Sequence, residues 1–183
     1  KEANGGTPTV TVLTVGPKPR VVEALRTAMA MGADDGIAID CEQELDAFLA
    51  AQALSKAIEK EGAYDLIFTG KLAIDDNAAS VSQMLAEMLK IPHTTVVSKF
   101  TWKAGETEVE RETEGGTREL VSMRGPCVVA CNKGLNSPRY ASLPGIMKAK
   151  KKPLKEMALA DLGLNPSLLK TKLKNYQLPA EKP

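Results

Sequence analysis

The chain has 183 residues, of which 43% are hydrophobic and 26% charged, close to the average for a folded soluble domain. The 24 basic and 23 acidic side chains nearly cancel and only 4% of residues are aromatic, which argues against a nucleic-acid-binding domain. No apolar run approaches the ~20 residues that a membrane helix needs, so the composition argues against membrane insertion. An odd count of three cysteines favours a reducing compartment over a disulfide framework.

Strands and helices alternate through the first half of the chain. β-Branched residues over 9–15 predict a strand, and short apolar runs over 36–40, 65–69 and 94–97 predict three more. Apolar residues recur at helical spacing over 19–31, 45–57 and 78–89, with Asn77 as the predicted N-cap of the third helix. This alternation is typical of βαβ units. We therefore expect a Rossmann-like α/β fold, a parallel sheet with helices on both faces.

The pattern changes in the second half. Strand candidates at 100–102, 108–112 and 118–121, separated by glycine-containing turns, predict a small antiparallel insert at about 99–123. Cys127–Cys131 then predicts a buried strand with both cysteines in the core. From Asn132 onward the chain is rich in proline and lysine and resembles a loop. We expect an α/β domain over 8–131 and an extended C-terminal arm over 132–183 that lies on a partner.

The connection from Gly70 to Val81 is the strongest candidate for a binding site. It joins a predicted parallel strand to a helix, where ligands collect at strand ends and a helix start offers free N–H groups to a phosphate. An ordinary strand–helix connection, with its aspartates capping the helix, is an equally weighted interpretation. Asp75 and Asp76 would repel a phosphate, so they suit ribose hydroxyls or brace the loop.

Other chemistry is poorly supported. His93 is the only histidine, has no nucleophile or acid at a recognisable spacing, and is predicted to begin a strand. Metal-ligand spacings are also absent, so we expect no catalytic residue, no metal and no enzyme activity in this chain. The basic run from Lys148 to Lys155 lacks interleaved aromatic residues and favours the steering of an acidic protein partner over nucleic-acid binding.

Motifs spread along the chain narrow the interpretation to a family. They are RTAMAMGAD at 26–34, GKLAIDD at 70–76, VERETEGGTRELV at 109–121 followed by PCVVA at 126–130, and LNSPRYASLPGIMKAKKK at 135–152. Together they resemble the β subunits of electron-transfer flavoproteins, nearly from end to end. The resemblance implies that the family's N-terminal β-α-β unit and its far C-terminal segment are missing from this chain.

The resemblance also implies a function. In this family a Rossmann-like β subunit holds AMP structurally and pairs with an α subunit that holds most of the FAD. The complex takes electrons from acyl-CoA-type dehydrogenases of fatty-acid β-oxidation and passes them to a quinone oxidoreductase. The implied location is the bacterial cytoplasm or the mitochondrial matrix. The chain is thereby expected to be an electron-carrier subunit and not itself an enzyme.

Two sets of site residues follow from matching the family's motifs to this sequence. The nucleotide set lies at the end of the first strand and in the 70–81 connection, and comprises Val15, Gly70, Lys71, Ala73, Ile74, Asp75, Asp76, Asn77, Ala78, Ala79, Ser80 and Val81. The partner-binding set, in which Leu143 enters a pocket of the dehydrogenase, comprises Arg139, Tyr140, Ala141, Ser142, Leu143, Pro144, Gly145, Ile146, Met147 and Lys148.

Two alternative functions stay open. The family commonly has polar side chains where this chain has Ala79 and Val81, which motivates a bifurcating relative that binds a second FAD in place of AMP. A stand-alone adenine-nucleotide-binding sensor of the α/β type is the other alternative. In that case the 70–81 connection carries the function and the C-terminal segment is only a linker.

Overall fold

The computed structural model describes residues 8–62, 64–103, 105–172, 174 and 177. Strands and helices alternate up to β4, and two strands that continue from it in antiparallel pairing follow before the chain returns to the parallel arrangement. The elements are β1 Thr11–Gly16, α1 Lys18–Ala30, β2 Asp35–Asp40, α2 Ala47–Glu61, β3 Leu66–Gly70, α3 Val81–Leu89, β4 His93–Lys103, β5 Glu106–Glu112, β6 Arg118–Arg124, β7 Cys127–Cys131, α4 Leu143–Ala149 and β8 Leu154–Ala158.

One sheet contains three parallel strands in the order β1-β2-β8. Along β2, successive side chains point to opposite faces, so Ile37 and Ile39 pack against Leu49 of α2 while Ala38 packs in a second cluster with Leu25 of α1. Both faces are therefore covered by helices, which confirms the predicted α/β class.

The second sheet contains five strands in the order β3-β7-β4-β5-β6. β3, β7 and the first part of β4 run parallel, whereas β4, β5 and β6 pair antiparallel. The register shifts after Val97, beside Val96, whose φ of 60° is unusual for a β-branched residue. The predicted antiparallel strands are thus confirmed, and they extend the parallel sheet at its edge.

The division into two sheets was not predicted from the sequence. Within the described residues, β1 pairs only with β2 and β3 pairs only with β7, so each sheet has one open edge formed by an early strand. Helices α2 and α3 pack against each other, although they follow strands of different sheets. The helix pair provides the packing between the two halves of the fold.

The start of α3 differs from the prediction. Asn77 and Ala79 have φ values of 53° and 48°, in the left-handed region, and the helix begins at Val81 with Ser80 as its N-cap. The prediction that Asn77 caps this helix is therefore wrong, because three residues of irregular backbone separate it from the first helical turn.

The C-terminal segment is more ordered than its composition indicates. β8 pairs with β2, Gly36 lying opposite Leu154, and Leu159, Leu162 and Leu164 are buried beneath α2. The predicted loop-like arm is therefore wrong for 154–164, which complete the core. Residues 1–7 and, in the arm, residues 173, 175–176 and 178–183 lie outside the described residues. No described helix is long and apolar enough to cross a bilayer.

Candidate nucleotide and partner-binding sites

The 70–81 connection lies at the carboxyl end of β3. Gly70 is opposite Cys131 of β7, and the Lys71 amide donates a hydrogen bond to the Cys131 carbonyl oxygen at 3.1 Å. A Cβ at Gly70 would meet no atom within 4 Å, so this strand end opens onto free space. Burial raises the pKa of the Cys131 thiol, which keeps it neutral beneath the connection.

The aspartates of this connection brace its backbone. The Asp75 side chain accepts a hydrogen bond from the Asp76 amide at 2.9 Å, and the Asp76 side chain accepts one from the Ala78 amide at 3.0 Å. Residues 73–78 are exposed, and the Ile74 side chain is 98% accessible. The brace interpretation of the two aspartates is therefore supported, and each carboxylate keeps an oxygen that is available for a ligand.

The N-terminus of α3 has no side-chain cap. Ser80 makes no capping hydrogen bond, so no side chain at this position satisfies the first amides of the helix. The second helical residue, Ser82, is held by the end of β3. Its hydroxyl lies 2.7 Å from the Thr69 hydroxyl and 3.3 Å from the Gly70 carbonyl oxygen. These contacts tie the helix start to the end of β3.

The chemistry of these groups is of the kind that a mononucleotide requires. Backbone amides at the start of α3 suit a phosphate, and the carboxylates of Asp75 and Asp76 suit ribose hydroxyls. Val15 is not brought into this group by any contact described: it lies in the three-stranded sheet, opposite Ile39, and packs on the α2 side. The predicted site residues from Gly70 to Val81 thus form one continuous segment between β3 and α3. Val15 lies in the other sheet, so no described contact joins it to that segment.

The partner-binding residues form the short helix α4 and the segment before it. Ser142 caps the helix by accepting a hydrogen bond from the Gly145 amide at 3.1 Å, and Pro144 occupies the first turn, where it costs no hydrogen bond. Arg139 passes near the end of α1, its Nη2 lying 3.8 Å from the position of a Cβ on Gly32. The helix therefore begins at Leu143, the residue that the resemblance assigns to a partner pocket.

The two faces of α4 are opposite in character. Gly145 and Ala149, four residues apart, face α1; Ala149 is 2% exposed, and a Cβ on Gly145 would lie 2.6 Å from the Ala30 carbonyl oxygen. Leu143, Ile146 and Met147 share the other face and are 73%, 43% and 65% exposed. Small residues therefore attach the helix, and its large apolar side chains point into solvent next to the 97% exposed Tyr140.

The lysine run divides into two groups with different environments. Lys148, Lys150 and Lys151 are exposed. By contrast, Lys152 bonds to main-chain oxygens at the end of α1, and Lys155 pairs with Glu61 of α2. Within the described part of the chain, the first three lysines are thus exposed and form no ion pair, whereas Lys155 is exposed but paired with Glu61 and Lys152 is half-buried.

Sequence reasoning missed the contacts that seat α4. Arg26 of α1 donates from Nη1 to the carbonyl oxygens of Ala149 and Lys152, at 2.6 Å and 2.8 Å. Arg26 lies 123 and 126 residues from these partners, so no local pattern indicates the pairing.

Comparisons with known proteins show which proteins this sequence is similar to. A family model described as the electron transfer flavoprotein domain matches residues 1–162. The chain is 42% identical over 187 residues to the electron transfer flavoprotein subunit beta of Bacillus subtilis, covering 100% of this chain and 71% of that protein. It is 42% identical over 156 residues to the protein of the same name from Bradyrhizobium diazoefficiens, covering 85% and 61%, and 43% identical over 147 residues to that from Mus musculus, covering 78% and 57%. The chain thus spans 57% to 71% of the length of these relatives.

Proposed function

The chain belongs to the electron transfer flavoprotein domain family, and on that basis we propose that it acts as the β subunit of a heterodimeric electron-transfer flavoprotein. It joins an α subunit that holds most of the FAD, and it binds the proteins between which electrons pass. Acyl-CoA-type dehydrogenases are the proposed donors and a quinone oxidoreductase the proposed acceptor. The bacterial cytoplasm or the mitochondrial matrix is the proposed location. FAD supplies the redox chemistry, and this chain supplies positioning and recognition.

The exposed apolar face of α4 is the observation that carries this proposal. Leu143, Ile146 and Met147 lie together on a helix whose other face is attached to α1, an arrangement that a purely structural helix does not need. The Ser142 cap and Pro144 order the helix before binding, which reduces the entropy cost of association. The exposed Lys148, Lys150 and Lys151 provide a positive rim for an acidic partner.

The docking role is tested by Leu143→Ala. Removing a side chain that a partner pocket buries costs about 2 kcal/mol, roughly a 30-fold increase in Kd. The complex of this chain with its α subunit is titrated onto an immobilised, purified acyl-CoA dehydrogenase. Leu120→Ala is the matched control, since Leu120 is 82% exposed on β6, outside α4. An unchanged Kd for Leu143→Ala, with the fold intact by circular dichroism, contradicts the docking role.

AMP is the nucleotide that we propose for the 70–81 connection. The uncapped α3 N-terminus suits its phosphate, and the free carboxylate oxygens of Asp75 and Asp76 suit its ribose. The alternative of a second FAD is motivated by the apolar Ala79 and Val81, which leave fewer polar side chains for a phosphate.

Nucleotide identity is tested by releasing the ligands of the purified complex and analysing them by mass spectrometry and absorbance. One AMP and one FAD per heterodimer are expected. A flavin content of two per heterodimer, without AMP, identifies the bifurcating alternative. A stable monomer that binds an adenine nucleotide and no α subunit, as judged by size exclusion, identifies the stand-alone sensor.

A further inference from the structure

The C-terminal ends of α1 and α4 are joined by hydrogen bonds from two positively charged side chains. The half-buried Arg26 of α1 donates to main-chain oxygens of Ala149 and Lys152, where α4 ends. In return, Lys152 donates from Nζ to the carbonyl oxygens of Met29, at 2.9 Å, and Ala33, where α1 ends. The last carbonyls of any helix lack partners within it and carry partial negative charge. Arg26 of α1 thus bonds to the end of α4, and Lys152, three residues after α4, bonds to the end of α1.

These contacts matter most for α4, which has only seven residues. A helix this short is marginal in water and keeps its shape through tertiary contacts. The apolar contacts on its inner side come from Ala149, and the close approach of Gly145 to Ala30 offers little buried area. The charge-assisted bonds of Arg26 to the end of α4, and of Lys152 just after it, are consequently the strong directional contacts between α1 and this part of the chain.

We infer that Arg26 and Lys152 are positioning residues for partner binding: they fix the orientation in which α4 presents Leu143. This inference rests on the proposed docking function of α4. Neither residue needs to touch the partner. When these contacts are lost, α4 spends a smaller fraction of time in the orientation that binds the partner. The apparent affinity falls in proportion to that fraction.

The environment of Lys152 separates this role from electrostatic steering. Its ammonium is bonded to two main-chain oxygens and its side chain is half-buried, whereas Lys148, Lys150 and Lys151 are exposed. A steering charge acts through its long-range field and loses its effect as salt is added. A positioning charge acts at hydrogen-bond distance, so its contribution persists at high salt.

The experiment uses the complete complex with its α subunit and a purified acyl-CoA dehydrogenase as the probe, at low and at high salt. Kd is measured for Arg26→Ala, Lys152→Met and Leu143→Ala, and for the double variant Arg26→Ala with Leu143→Ala. Hydrogen exchange of the α4 amides, followed by mass spectrometry, reports the helix without any partner. Arg20→Ala is the matched control, an exposed arginine near the other end of α1. If Arg26→Ala does not fold, Arg26→Gln replaces it.

Arg26→Ala and Lys152→Met are each expected to weaken binding about tenfold at both salt concentrations and to speed exchange in α4, with β2 unaffected. Lys152→Arg keeps a positive charge that can donate hydrogen bonds, so it should leave both Kd and the exchange rate of α4 near the values of the unmodified chain. In the Leu143→Ala background, Arg26→Ala should have a smaller effect on Kd, because its largest contribution acts through the Leu143 side chain and only Ile146 and Met147 remain on that face.

Three results overturn the inference in distinguishable ways. If Leu143→Ala weakens binding but Arg26→Ala and Lys152→Met do not, docking stands and the positioning role is wrong. If the effect of Arg26→Ala keeps its full size in the Leu143→Ala background, Arg26 acts elsewhere in the fold. If Leu143→Ala itself binds normally, the proposed docking surface is wrong and the positioning role falls with it.

Discussion

Asp46 joins two distant parts of the chain through a single carboxylate. One oxygen caps α2 by accepting from the Leu49 amide at 2.8 Å. The other accepts from the amides of Lys170 and Thr171 at 2.6 Å and 2.9 Å. Burial alone raises the pKa of this group, but the combined hydrogen bonds outweigh it and hold the pKa below its usual value. The carboxylate therefore stabilises the fold only while it is ionised.

Asp46→Asn should lower the free energy of unfolding at pH 7 by about 1–2 kcal/mol, because asparagine can still cap α2 with its single carbonyl oxygen but has no second oxygen to accept from the Lys170 and Thr171 amides. A lowered folded-state pKa means that the contribution is complete above the unfolded value of about 4 and disappears as pH falls through the folded value. Urea unfolding of both proteins from pH 7 to pH 3 measures this. Asp65→Asn, an exposed aspartate before β3, is the control. A difference that stays constant down to pH 3 contradicts the assignment.

Single residues also show where sequence reasoning fails. Asn77 has the right chemistry for an N-cap, yet it adopts a left-handed conformation four residues before the helix starts. Side-chain preference alone could not exclude this, because asparagine is favourable in both settings. Likewise, Lys152 is indistinguishable by pattern from its exposed neighbours. Its role depends on carbonyl groups that come close only in the folded chain.

At the scale of elements, strands and helices with a clear period were predictable. Apolar periodicity located α1 and α2 to within a few residues, and His93 begins β4 as predicted. β8 was missed because it is a short edge strand with Lys155 and Glu156 at its centre, a composition that resembles a solvated loop. The partner-binding segment was found by resemblance, but its attachment to α1 depends on long-range contacts that no local pattern contains.

Gly145→Ala tests how closely α4 is packed on α1. Alanine favours a helix over glycine by about 1 kcal/mol, but its Cβ would lie 2.6 Å from the Ala30 carbonyl oxygen, closer than real Cβ atoms approach backbone. We expect the clash with Ala30 to outweigh the gain in helix propensity. The substitution should therefore displace α4 and reduce the free energy of unfolding by about 1–3 kcal/mol. Chemical denaturation measures the change.

Met147→Ala is the comparison for that variant, since Met147 lies on the outward face of the same helix and is 65% exposed. Its effect on stability should stay within about 0.5 kcal/mol. Increased stability in Gly145→Ala, as helix propensity alone predicts, contradicts the close packing.

For the whole molecule, the division into two sheets could not be read from strand patterns, because periodicity identifies strands but not their neighbours. Within the described residues, four strands form sheet edges: β1, β8, β3 and β6. β8 and β6 carry lysine, arginine and glutamate, which discourage pairing with other chains. β1 and β3, with the sequences TVLTVG and LIFTG, carry no charge. The uncharged edges are therefore the ones that favour pairing with additional polypeptide.

This contrast predicts which edge controls self-association of the chain in the absence of its partners. Phe68 of β3 is 52% exposed and contacts Phe100 edge to face at 5.0 Å. Phe68→Lys should reduce concentration-dependent association in sedimentation velocity, because a lysine on an open strand opposes edge pairing. Leu120→Lys adds the same charge at an 82% exposed position on β6, whose edge is already charged, and should change association much less. Equal effects of the two substitutions would show that exposed apolar area, and not the open β3 edge, determines association.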